Sequence, residues 1–335
     1  MAVWIVRAGG SGEHEELALD KKVVVIAWPE LGDLSKIKTR DDLKEFCFKT
    51  YPNEKPNTVL NWIAQLWNFR ETIQKGELVV LPLKTRSAIA VGIVEGDYEY
   101  RPDYPEQAQH TRKVKWLRDD IPRNSFDQDL LYSFGAFLTV GRVRRNKAEE
   151  RIRAVVEGKK PQVTQLQVEE ETEEATIDLE VVARDYIMTY IGQKYKGHDF
   201  AELVGHVLRA QGYKTRVSPP GADGGVDIIA GKGQMGFDHP KLVVQVKSSS
   251  TQADVKVFRE LQAVVKNFGA EQGLLVSWGG FTNSTRKEAE RHFFEIRLWD
   301  SGDLIENLLK NYENLPDDIK AELPLKRIWT LVPEE

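Results

Sequence analysis

The clearest hydrophobic pattern lies in the C-terminal part of the chain. Five apolar side chains recur there at intervals of three or four residues: Phe200, Leu203, Val204, Val207 and Leu208. This spacing predicts one apolar face of a helix, which Gly212 ends. Apolar runs then predict strands at 213–217, 226–230, 242–247, 273–278 and 296–299, with helices at about 252–267, 284–294 and 302–312. The order predicts an α/β domain with a mixed sheet flanked by helices.

The N-terminal part has shorter apolar runs. They predict strands at 3–7, 23–28, 77–83, 88–94 and 112–117. Thr39 and Asp42 have the spacing of a capping box at the start of a helix. The next helix, with Asn57 as its expected cap, has an apolar stripe made by Val59, Leu60, Ile63, Leu66 and Trp67. We expect an α+β domain around a curved, barrel-like sheet.

An acidic segment separates the two parts. Residues 161–180 contain seven Asp or Glu residues and no Lys or Arg, which is typical of a linker. We therefore expect an N-terminal domain at 1–155, a linker at 156–180, a second domain at 181–315 and a tail at 316–335. The net charge of −5 argues against a nucleic-acid partner, but without the seven linker acids it would be +2.

Composition narrows the class of protein. The 335 residues include 30% charged and 41% hydrophobic residues, and one cysteine, Cys47, which excludes an internal disulfide and a thiolate metal cluster. We find no apolar stretch of membrane-spanning length and no signal-peptide pattern at the N-terminus. These features lead us to expect a soluble, cytoplasmic protein.

Polar residues at the strand ends suggest chemistry. Asp227 follows a Gly-rich turn and begins a predicted strand, and Gln245 and Lys247 share one face of a later strand because strand side chains alternate. A carboxylate on the preceding helix, with Glu202 the best candidate, would complete the set. Oxygen ligands of this kind hold Mg²⁺ (or Mn²⁺), and a lysine orients an attacking water and stabilises developing charge. Such a set suits phosphodiester hydrolysis.

Structural explanations remain open for each residue. Asp227 is also a common turn residue, and Gln245 and Lys247 would also fit a solvated strand face. Glu202 lies three residues after Asp199 and would fit a capping box.

The residues of this part resemble a known family. The runs DFAELVGHVLRAQGY (199–213), DGGVDIIA (223–230) and VQVK (244–247) are similar to the catalytic domain of Mrr-type restriction endonucleases of the PD-(D/E)xK superfamily. The resemblance implies a restriction-endonuclease-like fold, catalytic roles for Asp227, Gln245 and Lys247, and a metal held by Asp227 and the backbone carbonyl of Val246. Family members often carry Glu where this chain has Ala201, so Glu202 is one position displaced.

The N-terminal part is similar to EVE-like domains of the PUA superfamily, in the strand VWIVRA, the run 75–100 and the segment TRKVKWL (111–117). The resemblance implies a domain that recognises a modified base flipped into an aromatic pocket. Candidate pocket residues are Trp4, Trp28, Tyr98 and Tyr100, the two tyrosines lying in a predicted loop. Candidate contacts to the DNA backbone are Arg142, Arg144, Arg145 and Lys147, although Glu149 and Glu150 would equally balance them on a solvated helix.

These interpretations combine into one hypothesis. We expect a Mg²⁺-dependent DNA endonuclease that restricts modified foreign DNA, with an N-terminal reader and a C-terminal nuclease. One such site cuts one strand, so double-strand cleavage would need a homodimer or two molecules. The alternatives are a structure-specific repair or recombination nuclease and a catalytically silent nucleic-acid-binding module. RNA also remains open as a target of the N-terminal domain.

Overall fold

The computed structural model describes residues 1–144, 147–159, 178–221 and 225–330. The chain divides into two compact units, Met1–Val182 and Ala183–Glu334. Most of the expected linker at 156–180 lies outside the described residues, because they omit 160–177.

The N-terminal unit contains a six-stranded sheet in its described residues. Its strands are β1 Val3–Val6, β2 Val23–Ile26, β3 Leu78–Pro82, β4 Ala88–Tyr100, β5 His110–Pro122 and β6 Val140–Val143. Its helices are α1 Glu15–Lys21, α2 Arg40–Thr50, α3 Pro56–Trp67, α4 Gln128–Phe134 and α5 Ala148–Val156, with a π-helical turn at Asn68–Thr72. The strand order is β2-β5-β4-β3-β1-β6, and only the β1–β3 pair is parallel among the pairs of this sheet in the described residues.

The predicted barrel is not confirmed. In the described part of this unit, β2 and β6 form the two ends of the sheet and have no hydrogen-bonded ladder between them. An open sheet results because β2 pairs with β5, β6 pairs with β1, and neither has a second partner.

Of the two helix caps predicted in this unit, one is confirmed and one is wrong. The Thr39–Asp42 capping box is confirmed, with both reciprocal hydrogen bonds present. The predicted cap at Asn57 is wrong, because α3 begins one residue earlier, at Pro56, with Lys55 in the cap position. Proline suits the first helical position, where its missing N–H costs no helix hydrogen bond.

The C-terminal unit contains a five-stranded mixed sheet in its described residues. Its strands are β7 Lys214–Val217, β8 Ile228–Lys232, β9 Asp238–Lys247, β10 Gln272–Ser277 and β11 Ile296–Trp299. Its helices are α6 Leu179–Lys194 (from residue 183 onward), α7 His198–Ala210, α8 Val255–Asn267, α9 Asn283–Arg291, α10 Ser301–Lys310 and α11 Asp317–Glu322. The order is β11-β10-β9-β8-β7, in which β9, β10 and β11 run parallel and β7, β8 and β9 antiparallel. The predicted mixed sheet flanked by helices is confirmed.

Both faces of this sheet are covered by apolar side chains. On one face, Phe200 and Val204 of α7 belong to the same core as Val244 of β9. On the other face, Phe258 of α8 belongs to a core with Val243 of β9. Successive residues of β9 therefore point into different cores, as strand alternation requires.

The first core extends beyond the expected end of the domain. Residues 316–335 were expected to form a tail, yet α11 lies within them. Ile319 and Leu323 are buried in the core that also contains Phe200. Residues 331–335 lie outside the described residues.

Candidate active site

Asp227 lies directly before β8, and its carboxylate faces β9. Its Oδ2 atom accepts a hydrogen bond of 2.6 Å from the backbone N–H of Val246. Its own backbone N–H donates to the carbonyl of Val244 at 2.9 Å. These two contacts hold the carboxylate beside β9, next to the Gln245-Val246-Lys247 segment (the Q-x-K sequence). The second oxygen, Oδ1, has no hydrogen-bond partner among the described residues.

Ser218 holds the backbone that precedes Asp227. Its hydroxyl donates to the carbonyl of Val226 at 2.7 Å, and its backbone N–H donates to the carbonyl of Asp227 at 2.8 Å. These two hydrogen bonds join Ser218 to the residues that end the Gly-rich segment of the sequence. Sequence reasoning missed Ser218, although a serine before a Pro-Pro-Gly turn is a usable signal for such a contact.

Gln245 and Lys247 lie on the same face of β9, as strand alternation predicted. Gln245 is 7% exposed, so it does not lie on a solvated strand face. Its Oε1 atom is buried and has no hydrogen-bond partner. Lys247 is partly buried, and no hydrogen bond or ion pair joins its ammonium group to another described residue.

The start of helix α7 lies close to the end of β9. Ser248, directly after Lys247, accepts a hydrogen bond of 2.9 Å from the backbone N–H of Gly197, the N-cap residue of α7. The N-terminus of a helix carries a partial positive charge, and α7 is 13 residues long. The helix end and the Lys247 ammonium therefore both favour an anionic group at this edge of the sheet.

Glu202 makes contacts within its own helix. Its carboxylate accepts a hydrogen bond of 3.2 Å from Arg209 and lies 3.7 Å from His198. The alternative of a capping box with Asp199 is not found, because α7 begins at His198 and its N-cap makes no side-chain hydrogen bond. Among the described contacts, none joins Glu202 to Asp227.

The side-chain oxygen atoms of Asp227 and Gln245 are of the type that a hard divalent cation prefers as ligands. A buried amide oxygen without a partner, on Gln245, lies on the strand next to a carboxylate with one oxygen to spare, on Asp227. Oxygen atoms of this kind are ligands that Mg²⁺ prefers. No group of three or more His, Cys, Asp or Glu side chains suited to a metal occurs within the described residues. The fit therefore depends on one carboxylate supplemented by neutral oxygens.

An aromatic cluster surrounds His110 in the N-terminal unit. The carbonyl of Trp28 lies 3.0 Å from His110 Nε2, and the Tyr98 hydroxyl lies 2.8 Å from Nδ1. A carbonyl only accepts, so Nε2 carries the proton and Nδ1 accepts from Tyr98. The Tyr100 ring meets the imidazole edge to face at 5.4 Å. The rings of Tyr98 and Tyr100 and the backbone of Trp28 are thus brought together at one histidine.

Burial shifts the pKa values of His110 and Tyr98, and hydrogen bonds fix the position of the Tyr98 hydroxyl. Burial lowers the pKa of His110, which keeps the imidazole neutral, and it raises the pKa of Tyr98. The two tyrosines lie within β4 and not in the predicted loop, because they pair with β5 at Arg112 and His110. The Tyr98 hydroxyl also accepts from the backbone N–H of Leu34 at 3.2 Å.

Among the described contacts, none joins Trp4, the fourth pocket candidate, to His110. Trp4 is 2% exposed in the same core as Trp28, and its indole N–H donates to Glu77 at 2.8 Å. The guanidinium group of Arg142 lies 5.9 Å from the centre of its ring. A base would stack on Trp4 only after this core had moved.

The basic candidates line a surface cavity of about 410 Å³ at the start of α5. Arg142, Arg144 and Lys147 contribute to its wall, together with Glu149 and Glu150. Lys147 lies 4.0 Å from Glu150, so part of its charge is balanced. Arg145 lies outside the described residues.

The C-terminal unit has the helix-flanked mixed sheet that the resemblance to nucleases implied, and comparison with protein families agrees. Residues 193–308 match the Mrr_cat family, described as a restriction endonuclease. The C-terminal unit therefore carries a restriction endonuclease domain of the Mrr family, which confirms the resemblance and the predicted nuclease class. Residues 4–133 match DUF8426, a domain of unknown function, so the EVE-like resemblance is not confirmed.

Solved structures give more distant likenesses, and no curated protein matches the chain. A protein of unknown function, AF1548, is 15% identical with a TM-score of 0.26; the match covers 32% of this chain and 64% of that one. The chain thus spans less than two thirds of that protein. The MspJI restriction endonuclease in complex with a 27-mer oligonucleotide is 17% identical, with a TM-score of 0.33 and coverage of 82% and 70%. The DNA modification-dependent restriction endonuclease AspBHI is 17% identical, with a TM-score of 0.35 and coverage of 80% and 73%.

No helix among the described residues is both long and apolar enough to cross a membrane.

Proposed function

We propose that this chain is a metal-dependent DNA endonuclease that cuts foreign DNA carrying a modified base. The observation that carries the proposal is the position of Asp227, which directly precedes β8 and contacts β9, the strand that holds Gln245 and Lys247. This arrangement occurs within a segment that matches restriction endonucleases. A carboxylate, a buried amide oxygen and an unpaired ammonium group are the groups that phosphodiester hydrolysis needs in one place.

Each residue has a separate role in the proposed reaction. Asp227, Gln245 and the backbone carbonyl of Val246 would hold Mg²⁺ or Mn²⁺. When bound, this cation would supply Lewis-acid stabilisation of the negative charge on the reacting phosphate. Lys247 orients the attacking water and stabilises the charge that develops on phosphate oxygens. The catalytic role proposed for Glu202 would require its carboxylate to leave Arg209.

The N-terminal unit would select the DNA. We place base recognition at the cluster of Trp28, Tyr98 and Tyr100 around His110, because aromatic rings and fixed polar groups together can bind an extruded base. Trp4 would contribute only by supporting this unit from its core. The cavity lined by Arg142, Arg144 and Lys147, with Arg145 beside it in sequence, would contact the DNA backbone.

The assembly and location follow from the substrate. One site of this kind cuts one strand, so we propose that two copies act on duplex DNA. The domains would comprise residues 1–155 and a second domain that begins at 181 and continues past 315 to include α11, joined by the acidic segment 156–180. A DNA substrate would place the protein in the cytoplasm.

Competition cleavage tests the proposal. Modified and unmodified duplexes of one sequence are mixed in one tube with Mg²⁺ or with EDTA, and are treated with wild type, Lys247→Ala or Lys241→Ala. Lys241 is an exposed lysine of the same strand, so Lys241→Ala is a control for the change in charge. We expect wild type and Lys241→Ala to cut only the modified duplex, and only with Mg²⁺. Cleavage by Lys247→Ala at the wild-type rate would contradict the site, and equal cleavage of both duplexes would contradict the reader.

A further inference from the structure

A second buried polar atom without a partner lies beside the Q-x-K sequence. The side chain of Ser277, the last residue of β10, is 0% exposed, and its hydroxyl has no hydrogen-bond partner. Gln245 Oε1 is the other such atom on this part of the sheet. Buried polar atoms are normally hydrogen-bonded, so two neighbouring exceptions indicate a group that the protein chain itself does not supply.

Strand register places these atoms on one face. In the parallel β9–β10 pair, Gln245 lies beside Leu275, and Ser277 lies beside Lys247. Leu275 belongs to the core under α8, so Ser277, two residues later, points to the same side as Gln245 and Lys247. Ser277 is therefore the direct neighbour of Lys247 and the diagonal neighbour of Gln245.

The diagonal separation suits a single water molecule. Diagonal neighbours in a sheet have Cα atoms roughly 7–8 Å apart, and a glutamine side chain extends over part of that distance. No direct hydrogen bond joins the two atoms. A buried water typically makes about three hydrogen bonds, and the ammonium group of Lys247, without a partner among the described residues, offers the third.

We propose that Ser277 is a positioning residue of the nuclease site and acts through one buried water. The water accepts hydrogen bonds from Lys247 Nζ and from the Ser277 hydroxyl, and donates one to Gln245 Oε1. Because both lone pairs of the water are then used, it meets Gln245 only as a donor, so the amide must present its oxygen and not its NH₂ group. An amide oxygen has two lone pairs, so one remains for a cation held with Asp227. This inference rests on the proposed function of the site.

A double-mutant cycle tests the positioning role. Ser277→Ala should lower kcat for DNA cleavage about 10-fold, with KM for DNA unchanged, because the amide loses its fixed orientation. In a Gln245→Glu background, Ser277→Ala should change kcat by less than about twofold, since the two oxygens of a carboxylate are equivalent. Ser301→Ala removes another buried hydroxyl of the same unit and should leave kcat unchanged. An equal loss in both backgrounds, or no loss in either, would overturn the proposal.

A crystal structure of the wild type gives a readout that is independent of activity. We expect one ordered water within about 3.2 Å of both Gln245 and Ser277. Absence of that water at high resolution, or a hydrogen bond from Ser277 to another protein atom, would overturn the inference even if the enzyme cuts DNA. If the wild type cuts no DNA, the proposed function fails, and the presence or absence of the water still decides the inference.

Discussion

Replacement of Asp227 by asparagine separates its structural contact from its chemical role. The Oδ2 atom accepts a hydrogen bond of 2.6 Å from Val246, and the amide oxygen of Asn can accept the same bond. A hydrogen bond to a charged group contributes about 1.5–3 kcal/mol and a neutral one about 0.5–1.5 kcal/mol. We therefore expect Asp227→Asn to lower the free energy of unfolding by about 1 kcal/mol. Asp227→Ala, which removes the acceptor, should lower it by about 1.5–3 kcal/mol.

Asp227→Asn should lower the rate of DNA cleavage far more than it lowers stability. The Asn side chain places an NH₂ group where the second carboxylate oxygen was, so it removes the only charged oxygen proposed for the metal. A bound metal contributes several kcal/mol to the barrier, and a loss of about 4 kcal/mol corresponds to about 10³ in rate. Single-turnover cleavage of an end-labelled duplex and urea denaturation measure the two effects. If Asp227→Asn cuts within tenfold of wild type, Asp227 is a turn residue and the reasoning is refuted.

Three further predictions concern stability. Burial, with the nearby Asp300 carboxylate, raises the pKa of Asp303 to about 6, so wild-type stability should fall as the pH rises from 4 to 6. Urea denaturation of Asp303→Asn should lack this slope, and parallel curves would contradict the pKa. Burial lowers the pKa of His110, so stability should fall as the pH drops below about 6.5. His110→Gln should remove that dependence, whereas an unchanged slope would contradict neutral burial. Phe258→Ala empties a fully buried site and should cost about 3–5 kcal/mol in the same assay; a loss below about 1 kcal/mol would contradict the packing.

The sequence predicted the central elements of the site because two simple periodicities are intact there. The helical stripe predicts α7, and the alternation along β9 is enough to place Gln245 and Lys247 on one face. The position of Asp227 after a Gly-rich turn predicted a strand end, and β8 begins at the next residue. Such local signals do not depend on knowing the partners of each strand.

Tertiary contacts explain what was missed. Helix α6 was not predicted, because its buried side includes Asp185, which interrupts an otherwise apolar stripe and is 1% exposed. Tyr98 and Tyr100 were assigned to a loop, because Gly96 and Asp97 disfavour a strand locally; pairing with β5 overrides that preference. Ser277 interrupts the apolar run at 273–278, a signal that sequence analysis passed over and that only strand register connects to Lys247.

The aromatic residues around His110 show the same limit of sequence analysis. Aromatic residues are candidates for base stacking or for a core, and the sequence does not say which. Trp4 and Trp28 lie in the same core, and only the hydrogen bonds to His110 set Trp28 and Tyr98 apart from Trp4. This distinction depends on strands that are distant in sequence.

The most direct test of the account is the single-turnover cleavage rate of a bound, modified duplex with saturating Mg²⁺, measured for wild type and for Lys247→Ala. Both proteins are first shown to bind the duplex and to unfold at the same urea concentration. The account predicts that Lys247→Ala cuts at least about 10³-fold more slowly, because the variant loses the group that orients water and stabilises the developing charge. A rate within tenfold of wild type would show that the chemistry occurs elsewhere and would contradict the central claim.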